Sequence, residues 1–179
     1  MSDERLRERQ TASELIFDGR ILHLYRDDIE LPNGKPADRE LIRHVGAVCV
    51  IPVTDDGCAV MERQYRYPVD EVVLEIPAGK LEKGEDPFFA AVRELEEETG
   101  FKTDSIIKLG EYWPTVGYCS ERVYLYFAKM LSKGSTHFDD DEFISLIKMP
   151  FEKAYEMCMN GEICDGKTQL AILKAKHYL

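Results

Sequence analysis

The sequence has few of the residues from which disulfide frameworks, zinc sites and membrane spans are built. Its five cysteines include no C-x-x-C pair, and its four histidines do not lie at finger-like distances from them. An odd, scattered set of cysteines is typical of reduced thiols in a cytosolic protein. The N-terminal residues are mostly charged, unlike a signal peptide, and no apolar run approaches membrane-spanning length. We therefore expect a cytoplasmic protein without a membrane segment.

Positive charge is also scarce. The chain has 23 lysines and arginines against 34 aspartates and glutamates, a net charge of −11. This balance argues against binding to nucleic acid or to an anionic membrane, and no helical pair typical of DNA-binding proteins is evident. It does not argue against a nucleotide, because an acidic site can bind phosphates through a metal ion.

The chain has enough apolar residues for a substantial core. Its 179 residues, 44% of them hydrophobic, suffice for one sizeable domain or for one domain with a small appended sheet. The composition becomes apolar near His44–Val45. We therefore predict an N-terminal antiparallel strand unit over residues 1–44 and a second domain over residues 45–179.

Hydrophobic periodicity and turn residues predict the elements of both parts. Residues 1–13 are polar and are predicted to form an irregular lead-in. The order of strands, helix, strands and helices predicts a mixed α/β (α+β) fold with helices packed on a curved sheet. The predicted strands are 15–17, 21–31, 39–44, 45–53, 58–66, 72–78, 106–113, 122–130 and 143–149, and the predicted helices are 87–99, 151–160 and 167–179.

The first predicted helix has clear signals at both ends. Asp86 suits the N-cap, Pro87 suits the first helical position, and Gly100 suits the site just past the last turn. Apolar spacing between these ends predicts one face to bury. That face contains Phe88, Val92, Leu95 and Thr99.

The acidic residues of this helix are unusual. Glu94, Glu96, Glu97 and Glu98 crowd its last turns, where like charges repel by roughly 0.2–0.5 kcal/mol per pair and the helix dipole is already negative. Three of them, at positions i, i+3 and i+4, project from one face. A hard divalent cation would compensate them, and such a cluster suits metal-assisted attack of water on a phosphate.

The stretch from Gly79 to Phe101 resembles the Nudix box, the hydrolase signature G-x5-E-x7-R-E-U-x-E-E-x-G-U, in which U is a bulky apolar residue. Nine defined positions at fixed spacing over 23 residues are all filled, which makes the match specific. The resemblance implies an α/β/α sandwich around a mixed curved sheet. It also implies hydrolysis of a nucleoside diphosphate linked to another moiety, with Mg²⁺ or Mn²⁺. The nine residues are Gly79, Glu85, Arg93, Glu94, Leu95, Glu97, Glu98, Gly100 and Phe101.

The same resemblance assigns roles to the residues of the box. Glu94 and Glu98 are implied to be the main metal ligands, with Glu97 assisting, and the Ala78 carbonyl is a further candidate ligand. Arg93 is implied to act in the catalytic centre. Together with Glu85 it is implied to hold the loop and the helix together.

Members of the ADP-ribose pyrophosphatase branch, which the chain also resembles, often take the catalytic base from an acidic loop after the second strand beyond the box. The resemblance therefore implies a base in the loop over residues 137–142. Glu142 is the first candidate and Asp140 the second, because glutamate has the longer reach toward a water molecule. An acidic, solvated loop is the alternative interpretation of these residues. Glu121 is a candidate for ordering the substrate phosphates or a metal ion.

Beyond the box, residues 13–178 are similar to the ADP-ribose pyrophosphatase branch of the family. In that branch the N-terminal strands exchange between two subunits, which implies a homodimer. Arg39 would then reach the partner's nucleotide, and Arg66 would contact the diphosphate, since the planar guanidinium fork binds phosphate oxygens in pairs. Surface salt bridges are the alternative for both arginines. The motifs carrying the similarity are LPNGK at 31–35, RELIRH at 39–44, QYR at 64–66, EIPAGKLEKGE at 75–85 and GYCSER at 117–122.

One position departs from that branch. A proline is usual directly before the glycine of the loop after the box, whereas this chain has Val116 before Gly117 and its proline at Pro114. The departure bears on ADP-ribose as the substrate more than on the reaction class.

The expected function is Mg²⁺-dependent hydrolysis of ADP-ribose, or of a related nucleotide sugar, to AMP and ribose 5-phosphate. GDP-mannose is an alternative substrate. Removal of oxidised nucleoside triphosphates is another enzymatic interpretation, disfavoured by the N-terminal strands. A non-catalytic nucleotide-sensing module is the alternative from another class, and the intact glutamates of the box disfavour it.

Overall fold

The computed structural model describes residues 3–137 and 143–179. The chain divides into two compact units, Met1–Val45 with Trp113–Arg122, and Gly46–Tyr112 with Val123–Leu179. Single 3₁₀ turns cover Asp3–Leu6 and Lys176–Tyr178. The remaining elements are β1 (Arg9–Asp18), β2 (His23–Glu30), β3 (Pro36–Ile42), β4 (Ala47–Pro52), β5 (Cys58–Arg66), β6 (Glu71–Glu75), β7 (Ala78–Lys80), α1 (Pro87–Thr99), β8 (Phe101–Lys102), β9 (Ser105–Tyr112), β10 (Val123–Lys129), β11 (Ser132–Lys133), β12 (Ile144–Pro150), α2 (Phe151–Met159) and α3 (Gly166–Ala175).

The first unit is built on an antiparallel sheet in the order β1-β2-β3. The predicted N-terminal sheet is confirmed, but the irregular lead-in was wrong, because β1 begins at Arg9. The loop Trp113–Arg122 is hydrogen-bonded through its backbone to the last residue of β3. The Ile42 amide donates to the Tyr118 carbonyl at 2.8 Å, and the Ser120 amide donates to the Ile42 carbonyl at 2.9 Å.

The second unit contains a mixed sheet in the order β7-β4-β10-β9, in which β4 and β10 run parallel. Alternate residues of a strand face opposite sides, and β4 is apolar on both. Val48 and Val50 pack with Leu95 of α1, whereas Cys49 and Ile51 join a larger core that includes residues of α2 and α3. Helices therefore cover both faces of this sheet, and the expected mixed fold is confirmed.

A second antiparallel sheet of this unit has the order β12-β5-β6. One face of it carries Met61 and Ile147, which pair across strands and belong to the larger core. The next register pair, Glu62 and Glu75, directs two buried carboxylates to the other face. Buried carboxylates require partners of opposite charge, and Glu75 finds one in Arg66 at the end of β5.

The three predicted helices are present, and the last one ends earlier than expected, at Ala175. The single strand predicted over 72–78 is two strands in the structure, β6 and β7, which belong to different sheets. Two further strands that the sequence did not predict, β8 and β11, pair with each other over two residues each. The five cysteines are free. Across the described ranges, no helix has the length and apolar character needed to cross a membrane.

Candidate active site

The helix α1 positions the candidate site, and its ends follow the sequence signals. The Asp86 carboxylate accepts a hydrogen bond from the Phe88 amide at 2.8 Å, and Gly100 adopts a left-handed conformation with φ 68°. The expected apolar face was only partly right. Leu95 and Thr99 are buried, whereas Phe88 is 43% exposed, and the buried face instead includes two glutamates.

Those glutamates, Glu94 and Glu98, meet the same short stretch of backbone in β7. Glu98 Oε2 accepts a hydrogen bond from the Ala78 amide at 2.8 Å. The Glu94 carboxylate lies against Gly79, where a Cβ atom would stand 1.9 Å from Glu94 Oε1. Both residues are less than a tenth exposed, at 8% and 3%. Two carboxylates from adjacent helical turns are thus held beside one strand.

Arg93 binds Glu97 of the helix and Glu85 in the loop before it. Its Nε and Nη2 donate to the two oxygens of Glu85 at 3.0 and 3.1 Å. Its Nη1 donates to Glu94 and to Glu97, each at 2.8 Å. One guanidinium group therefore joins three carboxylates and fixes the loop to the helix.

The electrostatics of the site depend on these contacts. Hydrogen bonds from Arg93 and from the Glu82 amide hold the pKa of Glu85 below its usual value. The hydrogen bond to Glu85 raises the pKa of Arg93 against the opposing effect of burial. The charge of Glu94 and the hydrogen bonds to Glu97 and Glu94 add to the increase. The arginine is therefore charged at any physiological pH, and it offsets part of the repulsion among the acids.

Glu94 and Glu98 fit a hard divalent cation in donor type and placement. Both offer carboxylate oxygens, the ligands such ions prefer. Gly79 has no side chain, and the Glu94 carboxylate lies in the space that a Cβ atom would take. Within the described residues, however, no three His, Cys, Asp or Glu side chains converge as a metal site. Glu97 is engaged by Arg93 instead. The fit therefore rests on two carboxylates, and the roles of Glu97 and of the Ala78 carbonyl as ligands stay predictions.

Arg66 lies in an ion pair, the alternative considered for it from the sequence, but its buried partner was not predicted. Its Nε and Nη2 donate to the two oxygens of Glu75 at 2.6 and 2.8 Å. Glu75 also accepts from Lys167 of α3. A signal was available, because a glutamate within an apolar strand indicates a buried partner of opposite charge. The side chain of Arg66 remains 40% exposed.

Two other candidates belong to the first unit. Arg39 binds both oxygens of Glu8, with 3.1 Å from its Nε to Glu8 Oε2, and 47% of its side chain is exposed. Glu121 Oε1 lies 3.8 Å from His44 Nδ1. Val116 is 81% exposed. The candidate bases Glu142 and Asp140 lie outside the described residues.

Comparison with known proteins gives a consistent result. The NUDIX domain model matches residues 43–167, and the model of the nucleoside diphosphate sugar hydrolase N-terminal domain matches residues 8–42. The chain is 42% identical to the ADP-ribose pyrophosphatase of Bacillus subtilis, over 93% of this chain and 91% of that protein. It is 44% identical to the methanol dehydrogenase activator of Bacillus methanolicus, over 92% of this chain and 90% of that protein.

A solved structure supports the fold. The crystal structure of an ADP compounds hydrolase superposes with a TM-score of 0.86 at 22% identity, covering 96% of this chain and 94% of the other. The family model spans more than half of the chain, and it includes the whole segment from Gly79 to Phe101. The chain therefore belongs to the NUDIX domain family and is a Nudix hydrolase.

Proposed function

We propose that this protein hydrolyses the diphosphate bond of a nucleotide sugar, with ADP-ribose as the first candidate substrate and Mg²⁺ as the ion. The observation that carries the proposal is the buried pair Glu94 and Glu98 beside β7. The ion pair of Arg66 with Glu75 lies close by along the chain. Glu75 precedes Ala78 by three residues, so their Cα atoms are at most about 11 Å apart.

Each group at the site has a separate part in the reaction. When bound, a divalent cation neutralises phosphate charge and lowers the pKa of a bound water molecule. Glu94 and Glu98 hold that ion, and Arg93 keeps the helix and loop in register around them. Arg66 binds diphosphate oxygens, which orients the phosphorus for attack by water. Cleavage of ADP-ribose gives AMP and ribose 5-phosphate.

The remaining roles complete the proposal. Glu142, or Asp140 in its place, accepts the proton of the attacking water, and Glu97 assists the metal ligands. Glu121 orders the substrate phosphates or a metal ion, and in the homodimer Arg39 reaches the nucleotide of the partner subunit. The similarity to the ADP-ribose pyrophosphatase of Bacillus subtilis supports the substrate class, and we place the reaction in the cytoplasm on the cysteine pattern.

We also propose a homodimer formed through the strand unit of residues 1–44. All ten residues of β1 are exposed, and several of the exposed side chains in this unit are large and apolar. Several large apolar side chains exposed within one short part of a folded chain favour an interaction site there. The residues are Leu15, Ile16, Phe17, Ile21, Leu22 and Val45.

The substrate prediction is tested with a panel of diphosphates. We expect release of phosphatase-sensitive monophosphate from ADP-ribose in Mg²⁺ and none in EDTA, since only hydrolysis of the diphosphate exposes a terminal phosphate. GDP-mannose and NAD are followed in the same way. An oxidised nucleoside triphosphate already has a terminal phosphate, so its hydrolysis is followed by chromatography of the monophosphate product. Faster turnover of GDP-mannose would transfer the assignment to that substrate. Binding without turnover of any diphosphate would favour a nucleotide sensor.

The dimer prediction is tested by mass in solution. We expect twice the chain mass of 20.6 kDa, falling toward the monomer when Ile16 and Phe17 are both changed to Ser, because their apolar surface would then no longer favour association. Changing Leu173, which is 45% exposed in α3, to Ser is the control. A monomeric wild-type protein would refute the dimer.

A further inference from the structure

Lys167 is a largely buried lysine in the first turn of α3, with 16% of its side chain exposed. Its Nζ binds Glu75 and lies 3.1 Å from Asp165 Oδ2. Burial alone would lower the pKa of Lys167, but the charges of Asp165 and Glu75 and their hydrogen bonds raise it above its usual value. The lysine is therefore charged inside the protein, where lysine is rarely found without a specific partner.

Glu75 connects this lysine to Arg66. Both carboxylate oxygens receive hydrogen bonds from Arg66 Nε and Nη2, and Oε2 also receives one from Lys167. Burial would raise the pKa of Glu75, but these two cations hold it below its usual value. A bidentate contact fixes the plane of a guanidinium group, and it leaves Nη1 at the opposite corner of the fork. The orientation of Arg66 thus depends on where Glu75 is held.

The charge balance gives Lys167 a second effect on Arg66. The electrostatic environment of Arg66 includes Glu62, Glu75 and Asp165. Lys167 forms ion pairs with two of these carboxylates, Glu75 and Asp165. Without the lysine, the negative charge of both would act on Arg66 without that compensation, and the attraction of Arg66 for an anion would weaken.

Arg66 and Lys167 also border the same open cavity, of about 420 Å³. Glu75 lies in its wall between them, and Val69 and Val73 supply apolar lining. A ligand that contacts Arg66 from this cavity would therefore lie near the lysine without needing to touch it.

We propose that Lys167 is a positioning residue that acts through Glu75 to hold the Arg66 guanidinium ready for the substrate diphosphate. This inference rests on the proposed function, in which Arg66 is the diphosphate contact. Lys167 raises the affinity for substrate and leaves the chemical step to the carboxylates of α1. Its effect therefore appears in KM and in substrate binding, and it requires Arg66.

The test is a double-mutant cycle on Lys167→Met and Arg66→Met. KM and kcat are measured in Mg²⁺, and the Kd of ADP-ribose is measured by calorimetry in EDTA, where turnover is not expected. We expect Lys167→Met to raise KM and Kd about tenfold in the wild-type background, and by less than about twofold when Arg66 is already Met. We expect kcat to change by less than about threefold.

Three further variants separate positioning from support of the fold. Lys167→Arg keeps the charge beside Glu75 and should recover most of the affinity, and Lys167→Gln keeps a hydrogen-bond donor if the Met variant folds poorly. Lys174→Met removes a lysine of the same helix that donates to the Leu109 carbonyl at 3.1 Å, and it should leave KM and Kd unchanged. Thermal unfolding of each variant gives its stability.

Each outcome decides a different point. Additive effects of the two substitutions, or a loss confined to kcat, would overturn the positioning role. An unchanged Kd in Arg66→Met would overturn it as well, because Arg66 would then not bind the diphosphate. Failure of the proposed hydrolysis is recognised separately, as absence of turnover by the wild-type protein while the binding cycle still reports the coupling.

Discussion

Replacing Glu98 with Gln should abolish most of the turnover while the protein stays folded. Loss of partners that only orient metal ligands costs about 10–100-fold in metal affinity or activity, so loss of a ligand itself should cost at least about a hundredfold. The amide keeps the shape of the side chain and can still accept the hydrogen bond that the Ala78 amide donates at 2.8 Å. The change therefore removes charge with little change in packing.

Three measurements check this expectation. We expect kcat to fall, the thermal unfolding midpoint without metal to stay within a few degrees of wild type, and the Mg²⁺-dependent rise in that midpoint to shrink, because an ion that binds the native state stabilises it. Glu96→Gln is the matched control. It changes the same residue type in the same helix, at a position whose carboxylate pairs with Lys102 at 2.9 Å. Near-normal turnover of the Glu98 variant would refute its assignment as a metal ligand.

The sequence was sufficient for the helix and for the type of chemistry. The caps of α1 are local signals, set by Asp86 and Gly100 within the segment itself, and the structure follows them. The spacing of the acids depends only on helical geometry. The apolar pattern was a weaker guide. It predicted that Phe88 is buried, but Phe88 is exposed in the structure, and Glu94 and Glu98 are buried. Burial of carboxylates costs free energy, so a rule based on apolar periodicity does not predict it.

The strands that the sequence missed depend on partners distant in the chain. Residues 9–14 are polar except for Ala12, and they form part of β1 because β2 offers hydrogen-bonding groups to pair with. The pair β8 and β11 likewise joins segments some thirty residues apart. Local composition does not indicate such pairing, so these residues were predicted as loop or lead-in.

The ion-pair cluster around Glu75 was missed for a related reason. Arg66 and Glu75 lie on the same face of the β5–β6 hairpin, although the residue opposite Arg66 is Glu71. Lys167 comes from α3, 92 residues later than Glu75. In the sequence, Glu75 is the first residue of the motif EIPAG, which leads into the box. The alanine and glycine of this motif draw attention to its backbone and not to the glutamate side chain. The contacts of a charged residue within a strand become visible only when the tertiary packing is known.

Replacing Gly79 with Ala should displace Glu94 and thereby reduce metal binding and turnover about a hundredfold or more. The added Cβ would stand 1.9 Å from Glu94 Oε1, 2.0 Å from Cδ and 2.4 Å from Oε2. These distances are far below van der Waals contact, so one group must move. The backbone of Gly79 is paired with β4, whereas the Glu94 carboxylate is the end of a side chain. The carboxylate should therefore move and the strand should remain.

The cost to the fold should be smaller than the cost to the site. Insertion of a methyl group into a packed place typically destabilises a protein by about 1–3 kcal/mol, part of which Glu94 can avoid by rotating away. The displaced carboxylate also loses its 2.8 Å contact with Arg93, so the geometry of the loop changes as well. Chemical unfolding in EDTA measures the stability change. The Mg²⁺-dependent shift in the unfolding midpoint and kcat measure the loss at the site.

Gly166→Ala is the control, because no heavy atom lies within 4 Å of the Cβ it would add. It should leave turnover and the Mg²⁺-dependent shift close to wild type. If Gly79→Ala retained both properties, the carboxylate of Glu94 could not be needed where the structure holds it, and Glu98 would have to bind the ion with a different partner. If it lost both while unfolding as the wild type does in EDTA, the requirement for glycine at this position would be the space that the Glu94 carboxylate occupies.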